Sequence, residues 1–150
     1  MKIVIAGCGR TGATLARLLS AEGHDIFVID QQRDSFRRFG RTPPSNIRTV
    51  TGNVLDEDAL QEANVSRADA FFACTQGDNT NIMAMQIARD RFGIQRVGGK
   101  INDPIRGEEY RKLGFFTISE CLILGGVFAD WLHEREMRPV EDYIHASTGK

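Results

Sequence analysis

Short runs of apolar residues alternate along the chain with segments whose apolar positions recur at helical spacing. The first run, KIVIA at residues 2–6, has β-branched residues on both faces, which is typical of a strand buried in a parallel sheet. The helical segment that follows it ends at Gly23. The same pattern predicts strands at residues 2–6, 25–30, 46–52, 68–75, 95–101 and 115–119. It predicts helices at residues 10–22, 31–40, 56–63, 79–92, from Asp103-Pro104 onward, and at about 120–136.

This alternation predicts an α/β fold. Strands that alternate with helices form a mostly parallel sheet, and the helices cover both of its faces. Six strands with a glycine-rich turn after the first predict a Rossmann fold with a six-stranded, mostly parallel sheet. The tail from Arg138 is polar, and we expect it to be loose.

The turn after the first strand has the spacing G-x-G-x-x-G, formed by Gly7, Gly9 and Gly12. In a nucleotide-binding turn the first glycine permits the tight bend, and the second lets a pyrophosphate approach the backbone. The third lets the helix pack against the strand. The amide groups at the start of the helix then point at the phosphates. The alternative is a strand–helix turn without a ligand. In that case the glycine in the first turn of the helix would lower stability and serve no binding role.

An acidic residue follows at the expected distance. Asp30 ends the second predicted strand, eighteen residues after Gly12, where a carboxylate accepts hydrogen bonds from ribose hydroxyls. A carboxylate there repels a 2′-phosphate, so NAD is favoured over NADP.

Polar residues also follow the third and fourth predicted strands, in the loops at residues 51–56 and 74–81. The carboxyl ends of parallel strands border the crevice where nucleotides bind. Asn53 can exchange hydrogen bonds with an adenine edge. Thr75, Asp78 and Asn81 either line the phosphates or, in the case of Asp78 and Asn81, cap the following helix.

Composition narrows the choice of partners. A net charge of -1 gives no electrostatic reason to expect nucleic acid as a partner, and we interpret the basic cluster Arg33, Arg37, Arg38 and Arg41 as a solvated face.

The three cysteines show no metal-ligand spacing. We therefore interpret them as small buried residues of a protein in a reducing cytosol. For Cys8, packing is favoured over a reactive thiol. The longest apolar stretch, residues 121–129, is too short to cross a bilayer, so we expect any membrane role to come through a partner.

No catalytic arrangement is evident in the sequence. Neither Tyr110 nor Tyr143 is followed by a lysine at Tyr-x-x-x-Lys spacing, and no Ser-His-Asp or Cys-His pattern appears. We therefore expect nucleotide binding without catalysis. The alternatives are an NAD-dependent oxidoreductase acting on a small substrate and a structural dimerisation module that no longer uses its glycine turn.

Three segments resemble the RCK N-terminal domain of Trk/Ktr-type potassium uptake regulators and ligand-gated potassium channels: KIVIAGCGRTGATLARLLSAEGHDIFVID, TGNVLDEDALQEANVSRADAFFACTQGDNTNIMAMQIAR and KINDPIRGEEYRKLGF. The resemblance covers residues 1–136 and leaves a polar tail at 137–150. It implies a cytoplasmic regulator, peripheral to the inner membrane, that binds NAD(H) or ATP/ADP and gates a potassium-translocating membrane subunit through rearrangement of a dimer. Members usually continue into a smaller ligand-binding domain, so the chain is either part of a longer protein or a single-domain member.

The resemblance also implies roles for individual residues. Arg10 approaches phosphates, including those of a neighbouring subunit; Asn53 replaces an adenine-contacting Asp; and Lys100 replaces the usual Arg before NDP, which keeps the charge but not a bidentate contact. Glu120 lies near where some members bind a divalent cation at the dimer interface, although an acid at a helix start also complements the helix dipole. The predicted nucleotide-binding residues are Gly7, Cys8, Gly9, Arg10, Thr11, Gly12, Asp30, Gln31, Asn53, Val54, Cys74, Thr75, Asp78, Asn81 and Lys100. No catalytic or metal-binding residue is predicted.

The last predicted helix points to self-association. Its apolar residues occupy more than one helical face, so one face can pack on the sheet edge while the other needs a different cover. These residues are Leu122, Ile123, Leu124, Val127, Phe128, Trp131 and Leu132. We predict a homodimer or a higher ring; the alternative is a helix buried within its own chain.

Overall fold

The computed structural model describes residues 1–145, and the chain divides into two compact units, residues 1–99 and a second that begins at Lys100. The strands are β1 (Lys2–Ala6), β2 (Asp25–Asp30), β3 (Ile47–Thr51), β4 (Ala70–Ala73), β5 (Arg96–Lys100) and β6 (Phe116–Ile118). The α-helices are α1 (Arg10–Ala21), α2 (Glu57–Glu62), α3 (Asp78–Gln86), α4 (Pro104–Lys112), α5 (Glu120–Leu132) and α6 (Val140–Ile144). Residues Arg33–Phe39 and Val65–Arg67 form 3-10 helices, and Ile87–Arg91 form a π-helical turn.

The strands form one sheet in the order β3-β2-β1-β4-β5-β6. The pairs β1–β2, β1–β4, β2–β3 and β4–β5 are all parallel. In the second unit the backbone amide of Ile101, just after β5, donates to the carbonyl of Ile118 at 2.9 Å. The predicted Rossmann fold with a six-stranded parallel sheet is confirmed.

The core of the first unit fixes the start of α1 against the end of β1. Ile3 and Ile5 of β1 are buried together with Ala13 and Ala16 of α1 in one apolar cluster. Small residues on α1 let the helix lie close to the sheet, and burying the β1 side chains contributes about 1.5–3 kcal/mol for each large one. This packing holds the turn between β1 and α1, where the glycines lie, in one position.

The segment after β2 differs from the prediction of an α-helix at residues 31–40. Residues Arg33–Phe39 form a 3-10 helix, with Ser35 donating to the carbonyl of Gln32 at 2.9 Å and Gly40 donating to that of Arg37 at 3.0 Å. The segment is short and polar, and the main apolar anchor at its end is Phe39, which is buried. An α-helix on a protein surface is stabilised by an apolar face that recurs every 3.6 residues. With Phe39 as its buried residue, this segment has no such face to favour the α-helix over the 3-10 helix.

The last helix and the tail also differ from the prediction. Helix α5 ends at Leu132 rather than near residue 136, and Glu134 then adopts a left-handed conformation with φ of 52°. The predicted loose tail is wrong for residues 138–145, because α6 lies against α5 with Tyr143 and Ile144 buried. Gly126 permits this contact, since a Cβ there would collide with the Tyr143 ring. Residues 146–150 lie outside the described part of the chain.

Candidate nucleotide-binding site

The turn between β1 and α1 requires glycine at two positions. Gly7 has φ of 102°, and a Cβ there would lie 2.9 Å from the backbone carbon of Cys74 and the backbone nitrogen of Thr75. At Gly12 a Cβ would collide with the carbonyl oxygen of Gly7. The chain therefore bends sharply at Gly7, passes close to the end of β4, and packs α1 against its own turn, which are the roles predicted for the first and third glycines.

Gly9 differs from these two glycines because no packed group occupies the space where a side chain would lie. It is the N-cap residue of α1 with φ of -72°, a conformation open to any residue, and no atom lies within 4 Å of a Cβ built there. The packing of the protein therefore gives no reason for glycine at this position. An open backbone at the N-terminus of a twelve-residue helix, where the dipole favours negative charge, is the geometry that a phosphate group requires.

The carboxylate of Asp30 is held in place by backbone amides. One oxygen accepts from the Cys8 amide at 2.8 Å, and the other accepts from the Gln32 amide at 2.8 Å and from the Ser35 hydroxyl at 3.4 Å. A carboxylate offers about four acceptor sites, so its oxygens can also accept from ribose hydroxyls. The bond to Cys8 links the end of β2 to the glycine turn and fixes both relative to the cavity.

Asn81 fixes the loop after β4. Its side chain is fully buried, and its Oδ1 accepts from the Thr75 amide at 2.9 Å and from the Thr75 hydroxyl at 2.7 Å. Its Nδ2 donates to the Thr75 carbonyl at 3.1 Å. Asn81 thus acts on this loop through Thr75.

These elements enclose one side of a cavity of about 410 Å³, which is within the range of small-molecule sites. Seven of the predicted residues line it, namely Gly7, Gly9, Asp30, Gln31, Val54, Cys74 and Thr75. The other predicted residues of the first unit that lie outside this lining are Cys8, Arg10, Thr11, Gly12, Asn53, Asp78 and Asn81. Among these, Asn53 Oδ1 accepts from the Leu55 amide at 3.0 Å, which orders the loop after β3 beside Val54. The residues present therefore fit an adenine nucleotide, and their contacts with it stay predictions.

The TrkA-N domain family model matches residues 3–119. The chain belongs to the TrkA-N domain family. The resemblance to the RCK N-terminal domain that the sequence motifs indicate is thereby confirmed.

Among curated relatives of this TrkA-N domain, the Trk system potassium uptake protein TrkA of Streptomyces coelicolor is 46% identical over 119 residues. The match covers 79% of this chain and 52% of the relative, so the chain spans about half of that protein's length. Among solved structures, GsuK bound to ADP matches 90% of this chain and 34% of its own, with a TM-score of 0.73 and 23% identity. The GsuK channel bound to NAD matches 83% and 22%, with a TM-score of 0.67 and 23% identity. At these identities the structures show a shared fold.

Several residues that line the cavity of this TrkA-N domain were not predicted from the sequence. They are Gln32, Ser35, Arg38, Gln76, Gly77 and Thr80. Arg38 is the charged member of this group, and its Nε donates to the carbonyl of Cys8 at 3.1 Å. Arg38 is exposed, as the interpretation of a solvated face expects, and its side chain also reaches the glycine turn. No sequence signal marks the placement, since the prediction assumed an α-helical period over residues 31–40.

Cys8 of the TrkA-N domain is a packing residue. Its side chain is fully buried, and burial, together with the negative charge of Asp30, raises the pKa of the thiol from 9.0 to about 11. A neutral thiol at physiological pH is a poor nucleophile. The structure therefore agrees with the interpretation of Cys8 as a small buried residue, whereas the same interpretation is wrong for Cys121, which is exposed.

In the second unit of this TrkA-N domain, Lys100 Nζ lies 3.3 Å from a carboxylate oxygen of Glu120. Residues 1–145 contain no group of three or more His, Cys, Asp and Glu side chains arranged to hold a metal ion. A divalent cation near Glu120 at a dimer interface stays a prediction, as does a phosphate contact of Lys100. In the same described range, no helix is both long and apolar enough to cross a membrane.

Proposed function

We propose that this TrkA-N domain binds an adenine nucleotide, NAD(H) or ATP/ADP, in the cavity beside the glycine turn. The diphosphate lies over Gly9 at the N-terminus of α1, and the Asp30 carboxylate accepts hydrogen bonds from the ribose. One observation carries this proposal: a Cβ on Gly9 would meet no atom of the protein within 4 Å, although both flanking glycines are required by packing. The named ligands of the structural neighbours, ADP and NAD, support the same chemical class.

The nucleotide serves as a regulatory signal in potassium uptake. The relative from Streptomyces coelicolor is named as a Trk system potassium uptake protein, which supports this role for the protein that contains the chain. In this proposal the domain is cytoplasmic, and the bound nucleotide changes how paired domains act on a potassium-translocating membrane subunit.

The cavity favours binding over catalysis. Within the described part of the chain, its lining contains no histidine, tyrosine or lysine that could transfer a proton to a substrate. The thiol of Cys8, next to the lining, is held neutral by burial, which raises its pKa. Incubation with NAD(H) and a panel of small alcohols and carbonyl compounds should leave the absorbance of NADH unchanged; turnover would favour the oxidoreductase alternative.

Gly9→Ala tests the proposed site, because the added methyl group fills the space over the backbone without touching the protein. We expect calorimetric affinity for ADP and NADH to fall by at least about ten-fold, since the phosphate can no longer approach the turn. Without ligand, the melting temperature should stay within about 3 °C of the parent.

Gly125→Ala is the matched control, since a Cβ there also meets no atom within 4 Å and Gly125 lies in α5, outside the cavity lining. It should keep the parental affinity. Equal affinity of Gly9→Ala and the parent would refute the site. In cells, uptake of radioactive rubidium should lose its regulation with Gly9→Ala.

The proposed dimer uses the apolar face of α5. Phe128 is 65% and Trp131 73% exposed, and Leu124 and Leu132 are exposed beside them on the same helix. Four large apolar side chains exposed together on one helix are typical of a surface that is buried against another protein chain. The double variant Phe128→Asp, Trp131→Asp should be monomeric by light scattering, whereas Leu18→Asp, at an exposed leucine of α1, should keep the parental mass. An unchanged mass of the double variant would exclude α5 as the interface.

A further inference from the structure

Arg38 differs from the other arginines of its segment. Its Nε donates to the carbonyl of Cys8 at 3.1 Å, and the residue lines the cavity. Arg37, next to it in the chain, is 83% exposed and pairs with Asp34 at 3.3 Å. Within residues 1–145, Arg38 forms no ion pair with a carboxylate. Its guanidinium therefore lies at the cavity and remains exposed, where a ligand can reach it.

We propose that Arg38 binds the 5′-phosphate of the nucleotide, so that the ligand is held by a side-chain cation as well as by backbone amides. This inference rests on the proposed nucleotide site and adds a residue that determines which ligands the site prefers. It predicts that nucleoside phosphates bind more tightly than the nucleoside.

The chemistry of the guanidinium supports a phosphate contact. The bond from Nε uses one of five N–H donors and fixes the plane of the group, which leaves the donors on both terminal nitrogens for a ligand. A planar fork of donors matches two oxygens of a phosphate. Because one bond already restrains the side chain, less conformational entropy is lost when the phosphate binds.

The position of Arg38 favours the 5′-phosphate over a 2′-phosphate. Arg38 lines the same cavity as Gly9, the N-cap of α1. The guanidinium and the helix N-terminus therefore attract the same anion. A 2′-phosphate would instead lie against the ribose-binding carboxylate of Asp30, whose negative charge repels it.

The test compares Arg38→Gln with Arg37→Gln, an identical change one residue away, by calorimetry with adenosine, AMP, ADP, NADH and NADPH. Arg38→Gln should weaken ADP and NADH binding by about ten-fold, the effect of one charge-assisted contact at a partly exposed site. Adenosine affinity should change by less than about two-fold. Arg38→Lys should recover part of the loss, and Arg37→Gln should match the parent. The dependence of ADP affinity on salt should be weaker in Arg38→Gln.

Four results would overturn the inference. They are an unchanged ADP affinity in Arg38→Gln, an equal loss for adenosine and ADP, an equal loss in Arg37→Gln, and a loss confined to NADPH, which would assign Arg38 to a 2′-phosphate. The melting temperature of each variant without ligand shows whether the turn is intact, and Arg38→Lys provides the comparison if Arg38→Gln is destabilised. If the parent binds none of the five ligands, the proposed function itself fails; if the parent binds ADP, each result above tests Arg38 alone.

Discussion

Replacing Asn81 with alanine should destabilise the first unit by about 3 kcal/mol. The side chain is fully buried and forms hydrogen bonds with the amide, hydroxyl and carbonyl of Thr75. Each such bond contributes about 1 kcal/mol, and leaving its partner buried and unpaired costs a similar amount or more. For a chain of this size, the loss corresponds to a fall in melting temperature of roughly 6–12 °C.

Urea denaturation followed by circular dichroism measures this loss, with Met83→Ala as the control. Met83 is exposed on the same helix, and its replacement should change stability by less than about 0.5 kcal/mol. Because Asn81 orders the loop that lines the cavity, Asn81→Ala should also weaken ADP binding. A stability within about 0.5 kcal/mol of the parent would show that Asn81 does not hold the loop, and would favour a direct role toward the ligand.

Four further predictions concern other parts of the chain. Gly12→Ala should destabilise the fold by more than about 2 kcal/mol in urea denaturation, because the new Cβ collides with the Gly7 carbonyl; a loss as small as that of Gly9→Ala would contradict the packing role. At pH 8 a maleimide should label the exposed Cys121 rapidly and the buried Cys8 and Cys74 slowly. Since the Cys8 pKa is raised to about 11, the parent should also lose stability as the pH rises from 9 toward 11, whereas Cys8→Ala should lose less. Hydrogen bonds from Arg138 and Tyr143 hold the pKa of Asp130 below its usual value, so its stabilising effect is present above the ordinary Asp pKa and is lost as the pH falls through the lowered one. Denaturation at pH 7 and pH 3 should therefore show a smaller difference for Asp130→Asn than for the parent.

The parts of the fold that follow a local rule were predictable. The strands are visible as apolar runs, and β1 and β2 begin and end within one residue of prediction. The positions of Gly7, Gly12 and Asp30 follow from the spacing that a phosphate turn requires, and the structure gives each the expected backbone environment. These features depend on short stretches of chain and on the sterics of one turn.

The parts that depend on contacts distant in sequence were not predictable. Arg38 is exposed, as expected of the basic cluster, but nothing in the sequence indicates the hydrogen bond from its Nε to the carbonyl of Cys8, thirty positions away. Tyr143 falls in the predicted polar tail, although its hydroxyl donates to the buried Asp130 and its ring lies against Gly126. In both cases the partner is a polar group or a glycine, which leaves no trace in hydrophobic patterning.

The central claim is that an adenine nucleotide binds over Gly9, between the β1–α1 turn and the loop after β4. The most direct measurement is a titration of the ¹⁵N-labelled protein with ADP, followed by amide resonances. We predict saturable shifts that are largest for the amides of Gly7, Gly9, Gln31 and Thr75, and that disappear in Gly9→Ala. Saturable shifts confined to residues outside the cavity lining, or no shifts at millimolar ADP, would contradict the claim.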